Sequence, residues 1–178
     1  MPHQQAHSVM NEAMPTSSEM APADALKSAM RQLASGVSVI STSQDGTWHG
    51  MTATSVISLS MEPPSVLVCI NRAATIHAPL MAAEAFCVNL LGSAQEDVCS
   101  VFSSKSRREE RFKDGLWKCG PLQLPYHPQA EANIFCTTDA VHEYGTHSVV
   151  FAKVHHVIER SSEKRSPMIY LDGRFIAA

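Results

Sequence analysis

The sequence predicts a mostly β domain, a barrel or sandwich of short antiparallel strands with a few short helices on its flanks. Three observations carry this. Seven runs with strand character recur along the chain, from "VSVIST" (37–42) to "PMIYL" (167–171). The links "QDGTWHG", "MEPP", "YGTH" and "LDGR" are rich in turn formers. Finally, no regular strand-helix-strand repeat separates the runs, so a parallel sheet is not expected.

In chain order, residues 1 to about 21 are rich in Pro, Ser, Met, Gln and His without periodicity, the composition of a disordered tail. One domain is expected over 22–178, a length sufficient to bury a core. "DALKSAMRQL" (24–33) has helical spacing, with Leu26, Met30 and Leu33 on one side and Gly36 as the stop. Strands are expected at 37–42, 51–60, 65–70, 85–91, 132–144, 148–159 and 167–171. "INRAATIHAPLMAAE" and "QEDVCSVFSS" read as short helices between strands.

Composition excludes several function classes. A formal net charge of −3 argues against nucleic acid as the main partner. No apolar run approaches the roughly 20 residues of a membrane span, and the N-terminus has no basic region followed by an apolar one. A soluble, cytoplasmic protein without a membrane partner is therefore expected. The five cysteines are odd in number and widely spaced, unlike a disulfide framework or a C-x-x-C site. Cys69, Cys87 and Cys136 lie in apolar runs, as reduced cysteines acting as small hydrophobes. Nine histidines form no H-E-x-x-H or Cys/His cluster, so no metal site is expected. A Rossmann core is excluded by the absence of G-x-G-x-x-G after a strand, and a P-loop by the absence of its motif.

Two stretches hold candidate chemistry. In "GMTATSVISLS" the hydroxyls of Thr52, Thr54, Ser55 and Ser58 crowd an apolar strand, with Thr52 and Thr54 on one side and Ala53 and Ser55 on the other. They are either tolerated at a strand edge or, with backbone N–H groups, build a wall that holds an anion. Arg72, just after the next strand, can add charge-assisted contacts. In "YGTHSVVF" (144–151), His147 follows a glycine turn: a strand-end histidine, or one facing a pocket mouth and titrating near neutrality. "KSRREERFK" (105–113) mixes signs, as on a solvated helix, and can equally border a pocket that attracts an anionic cofactor. Trp117 in "WKCGP" reads as a buried anchor.

Together, "GVSVISTSQDGTWHGMTATSVISLSMEPPSVLVCINR", "FCVNLLGSAQEDVCSVFSS", "ERFKDGLWKCGPL", "YGTHSVVFAKV" and "PMIYLDGRF", in that order, resemble the flavin reductase-like, FMN-binding split-barrel family. Coverage runs from about residue 24 to 176. The chain is most similar to the small NADH-dependent reductases of two-component aromatic monooxygenases. That resemblance implies a closed antiparallel six-stranded Greek-key barrel with flanking helices, assembled as a homodimer. It also implies FMN or FAD bound at the barrel edge and NADH as hydride donor. Thr52, Ala53, Thr54, Ser55 and Ser58 would line the ribityl and isoalloxazine region. Asn71, Arg72 and Thr75 would lie toward the phosphate, with Phe102 to Lys105 nearby. His147 matches the histidine of the family's "G-[DT]-H" motif, on the nicotinamide side of the flavin. Thr146 stands where many relatives carry Asp, while the monooxygenase reductases often carry Thr there themselves. "AEANIFCTTDAVHEY" departs from the usual preceding strand but keeps a cysteine, Cys136.

Hydride transfer needs nicotinamide and flavin rings stacked in contact, and the redox chemistry belongs to the cofactors. The resemblance implies an NADH-dependent flavin reductase that hands reduced flavin to a separate monooxygenase. Two other readings remain open: a split-barrel protein that binds or senses flavin without fast turnover, and a reductase acting directly on a small organic substrate.

Overall fold

The computed structural model describes residues 21–161 and 165–177. The expected N-terminal tail lies, but for Ala21, outside the described residues. Helix α1 (Pro22–Met30) is followed by β1 (Ser35–Gly36), β2 (Ser38–Gln44), β3 (Thr47–Ala53), β4 (Val56–Met61) and β5 (Pro64–Asn71). Next come α2 (His77–Ala83), β6 (Ala85–Leu90) and α3 (Glu96–Ser103). The chain ends with β7 (Lys118–Cys119), β8 (Pro125–Tyr126), β9 (Ala132–Tyr144), β10 (His147–Glu159), β11 (Met168–Leu171) and β12 (Arg174–Ala177).

The hairpins follow their turn chemistry. β2 and β3 are joined by Asp45-Gly46 and β11 and β12 by Asp172-Gly173, with positive φ at all four residues, the backbone of the two-residue turns that match strand twist. β9 and β10 pair along almost their whole lengths, from Tyr144↔His147 to Ala132↔Glu159, with two register shifts that bend them.

The main sheet has seven strands in the order β3-β2-β6-β9-β10-β5-β4, with antiparallel pairing throughout. Its two edges, β3 and β4, are consecutive in the chain, and Thr54 and Ser55 turn the corner between them. Ala53 of β3 and Val56 of β4 nevertheless pack into one core with Ile40, Val68, Ile70, Phe86, Val88 and Val150, so the sheet curls on itself. The expectation of a closed six-stranded barrel is thereby corrected: there are seven strands, and the ladder is open between β3 and β4. The cause is local. Ser55 Oγ donates to the Cys69 carbonyl at 2.9 Å, and the Cys69 N–H donates to the Ser55 carbonyl at 3.2 Å. These bonds commit the chain to β5 before β4 begins.

A second apolar cluster, Val37, Val39, Leu91, Cys99, Phe102, Trp117 and Met168, lies between the sheet and α3, where Trp117 is the buried anchor its sequence suggested. Asn89, fully buried, ties the segment after β8 to the sheet. Its Nδ2 donates to the Val39 carbonyl and to Ser41 Oγ, both at 2.9 Å, and its Oδ1 accepts the His127 N–H at 2.9 Å. Helix α1 buries no residue and is held by an Arg31–Asp172 ion pair of 3.2 Å. No described helix is long and apolar enough to cross a membrane.

Candidate functional site

The corner between β3 and β4 places the hydroxyl-rich stretch along an unpaired strand edge. A cleft of about 260 Å³ opens there, lined by Thr52, Ala53, Thr54, Ser103 at the end of α3, and Tyr170 and Phe175 from the C-terminal hairpin. Hydroxyls thus face two aromatic rings whose centroids are 5.3 Å apart. Thr52 Oγ1 donates to the Cys99 carbonyl at 3.2 Å, which fixes the side chain and leaves its lone pairs as acceptors. The Ala53 side chain points into the core, so this residue offers the cleft only its backbone.

Further along β3 lies a second cleft of about 320 Å³, lined among others by His49, Gly50, Thr75, Arg108, Arg111 and Lys113. Three cationic side chains, Arg108, Arg111 and Lys113, against one acid, Glu109, make it a place for an anion. Burial, and then the neighbouring Arg108 charge, hold His49 below its ordinary pKa. Arg111 builds this wall. Its guanidinium donates to the carbonyls of Gly50 (2.8 Å), Phe102 (3.1 Å), Ser104 (2.9 Å) and Val101 (3.4 Å). It thereby satisfies carbonyls that the end of α3 leaves free and ties that helix to β3. Phe102 is buried beneath, packed edge-on against Phe112, and the Arg111 guanidinium lies 5.7 Å from its ring centroid.

The other residues singled out in the sequence fall into two groups. Asn71, Arg72 and His147 meet at the far end of β5. The backbones of His147 and Asn71 are paired, and the Arg72 N–H donates to the Thr146 carbonyl. Arg72 is engaged there by Glu143 at 3.1 Å and by the Gly145 carbonyl. Asn71 Oδ1 accepts the Ala73 N–H at 2.8 Å, closing the turn that leads to Thr75. His147 is exposed, with Nδ1 2.9 Å from Thr146 Oγ1. The Ser55–Cys69 bonds put the β3–β4 corner only two residues from Asn71 along β5, so the corner and the His147 turn neighbour each other across one strand.

Ser55, Ser58 and Lys105 stand apart. The Ser55 hydroxyl serves the corner, Ser58 is exposed on β4 opposite Val66, and Lys105 is exposed beyond α3. The sequence pattern does not single out His49, Tyr170 or Phe175, and Ser103 falls within the expected Phe102 to Lys105 stretch. The only signal for the aromatic pair was its position flanking the Asp172-Gly173 turn. The basic run had been open between a solvated helix and a pocket border; only Arg108–Glu110 form a helical turn, and Arg108, Arg111 and Lys113 line the cationic cleft. Among the described residues no group of three or more His, Cys, Asp or Glu side chains gathers as for a metal ion.

A curled antiparallel sheet with a hydroxyl-and-aromatic cleft beside a cationic one defines a mostly β protein suited to a flat ligand with an anionic tail. Residues 30–178 match the flavin reductase like domain, and the chain belongs to that family. It is 38% identical over 154 residues to the reductase component of a FADH(2)-dependent resorcinol hydroxylase from Rhizobium sp. (strain MTP-10005), covering 85% of each chain. It is 34% identical over 151 residues to the FMN reductase (NADH) RutF of Pseudomonas syringae pv. syringae (strain B728a), covering 85% of this chain and 84% of that one. The solved structure of Streptomyces globisporus C-1027 NADH:FAD oxidoreductase SgcE6, in complex with NAD and FAD fragments, matches with a TM-score of 0.79. Its sequence is 28% identical, and the match covers 87% of this chain and 92% of that chain.

Proposed function

We propose that this protein is an NADH-dependent flavin reductase that reduces FMN or FAD and supplies the reduced flavin to a partner monooxygenase. The observation that carries the reading is the pair of clefts along the free edge of β3, one hydroxyl-lined and aromatic, the other cationic. The donor set fits a flavin. Tyr170 and Phe175 offer ring faces, Thr52 and Thr54 hydroxyls, and Thr75, Arg108 and Lys113 the charge and donors a phosphate needs. Bound there, the flavin supplies the redox chemistry, accepting hydride from the nicotinamide.

The protein's own work is positional. Thr52, held by the Cys99 carbonyl, and Thr54 orient the ring system. The aromatic pair keeps water from one side of the cleft, and the Arg111 clamp fixes the cationic wall before ligand arrives, which lowers the ordering cost of binding. His147, its Nδ1 engaged by Thr146, orients the nicotinamide or relays a proton through Nε2. Asn71 and Arg72 act by shaping the turn that presents Thr75. Ser55 supports the corner on which Thr54 sits; Ser58, Phe102 and Lys105 complete the surroundings, Phe102 as the floor under both walls.

The curled sheet with its seam between β3 and β4 is read as the family's split barrel. Assembly as a homodimer is supported by exposed apolar side chains on β4 (Ile57, Leu59, Met61) and β9 (Val141, Tyr144), a surface of the kind that marks association. Five free cysteines, three of them buried, fit the reducing cytoplasm.

The test is steady-state oxidation of NADH or NADPH by flavin-stripped protein at varied FMN or FAD, in air. Saturable turnover at catalytic protein concentration is expected, with NADH preferred. Tight flavin binding without nicotinamide oxidation would replace the reductase with a flavin-binding protein.

A further inference from the structure

A cavity of about 600 Å³ lies outside the clefts along β3. It opens between Ala94 with the 97/98/101 face of α3 and the segment that carries residues 107–129. Its apolar wall is Val98, Val101, Phe102, Phe112 and Leu116. At its base is His127, 1% exposed, and His127 Nε2 has no hydrogen-bond partner among the described residues.

The imidazole is held in place from several sides. Its backbone N–H is bound by Asn89, and its ring lies edge-on to Trp117 with centroids 5.2 Å apart. Its tautomer is set as well. Gln95 Oε1 accepts the Gly92 N–H at 2.9 Å, so the amide nitrogen of Gln95 faces His127 Nδ1 at 3.0 Å and donates to it. The Gln129 N–H also donates to Nδ1, at 3.3 Å. With Nδ1 an acceptor twice over, the proton of the neutral ring is on Nε2. A buried N–H donor therefore has no acceptor among the described residues, a costly arrangement unless something completes it. The rim carries Asp97, Glu110 and Asp114 against Arg107, and Arg107 is spent on a bidentate pair with Glu110, Nε to Oε1 and Nη2 to Oε2. The excess negative charge disfavours an anion.

The geometry points to a second small-molecule site in this cavity, for an uncharged, flat, largely apolar molecule with one hydrogen-bond acceptor, such as an aromatic ketone, which takes the His127 Nε2–H. This ligand class differs from a flavin, whose phosphate the acidic rim would repel. The site uses the face of α3 turned away from Ser103 and the hydroxyl cleft.

The test compares three probes of nearly one shape on full-length, ¹⁵N-labelled protein: acetophenone, α-methylstyrene, which lacks the acceptor, and benzoate, which adds a negative charge. Acetophenone is expected to shift the His127 Nε2 and Trp117 indole signals saturably. It should bind about tenfold more tightly than α-methylstyrene, the worth of partnering a buried donor, with benzoate weaker than acetophenone. In His127→Phe the tenfold preference should vanish. In Leu116→Trp, which fills the cavity from an exposed wall and leaves His127 intact, all three probes should lose affinity; this variant decides the matter if His127→Phe fails to fold. Equal binding of acetophenone and α-methylstyrene to the unmodified protein would overturn the proposal. So would acetophenone binding that displaces FMN without moving the His127 and Trp117 signals, or no saturable shift up to roughly 10 mM, too weak for a built site.

Discussion

Replacing Arg111 by methionine should loosen the fold and the cleft proposed for flavin together. Arg111 makes three good hydrogen bonds, to the carbonyls of Gly50, Ser104 and Phe102 at 2.8, 2.9 and 3.1 Å. A hydrogen bond to a charged group contributes about 1.5–3 kcal/mol when buried. The side chain is half-buried and the freed carbonyls gain some water, so about 1 kcal/mol per bond is the fairer figure. Methionine keeps part of the packing on Phe102 but none of the donors. The loss is about 3 kcal/mol, or roughly 6–12 °C in melting temperature for a chain of this length. Because the clamp joins the strand carrying Thr52 to the helix carrying Ser103, flavin affinity should fall at least about tenfold. Arg111→Lys should lie between, since an ammonium cannot reproduce the planar fork. Thermal unfolding and flavin fluorescence titration read both effects. A melting temperature within about 2 °C of the parent would refute the clamp, since the bonds would then contribute no more than about 1 kcal/mol in total.

Gly50→Ala should destabilise by about 1–3 kcal/mol, as overpacking does. Its Cβ would lie 2.6 Å from Phe102 Cε1 and 3.0 Å from Phe112 Cζ, and urea unfolding measures the cost. Acid should weaken the fold through His127, whose pKa burial holds below the ordinary 6.5, with the Asp114 charge opposing. The unfolded chain takes up the proton first as pH falls through 6.5, so stability rises with pH from the folded value up to 6.5, by at most about 1.4 kcal/mol per unit. A pH series of melting temperatures should have a shallower slope in His127→Phe. His147→Asn should raise KM for NADH about tenfold, the loss of one orienting contact, with flavin Kd unchanged; the reverse pattern would move His147 to the flavin.

Much of the architecture was readable from residue pattern. The runs at 85–91, 132–144 and 148–159 became β6, β9 and β10 within a residue at each end, since each alternates or stays apolar between clear turn signals. The run at 51–60 did not stay whole. It is the end of β3 and most of β4, with a corner at Thr54–Ser55 that contains neither glycine nor proline. That corner is made by a long-range partner, Cys69, which period counting along the chain does not see. Residues 47–50 read as part of a turn because Gly46 and Gly50 bracket them, yet Gly50 is required for a different reason, the approach of Phe102. The β12 strand went unseen because its apolar run is short. For the site, the hydroxyls at 52 and 54 were found from their strand position. The cationic wall was only half seen, because a mixed-sign run does not reveal that Arg107 pairs with Glu110 while Arg108 and Arg111 turn toward Thr75.

The open seam has a consequence for motion. β9 over residues 132–137 and β10 over residues 147–153 have hydrogen-bonded neighbours on both sides, whereas β3 and β4 each have a neighbour on one side only. Their amide protons should therefore exchange with solvent through small local openings, while those of β9 and β10 wait for much larger ones. The rim that breathes most easily is the rim that carries the hydroxyl cleft. A large planar guest can enter and leave by fluctuations of that rim alone, on a timescale set by two edge strands, while the packed interior stays shut.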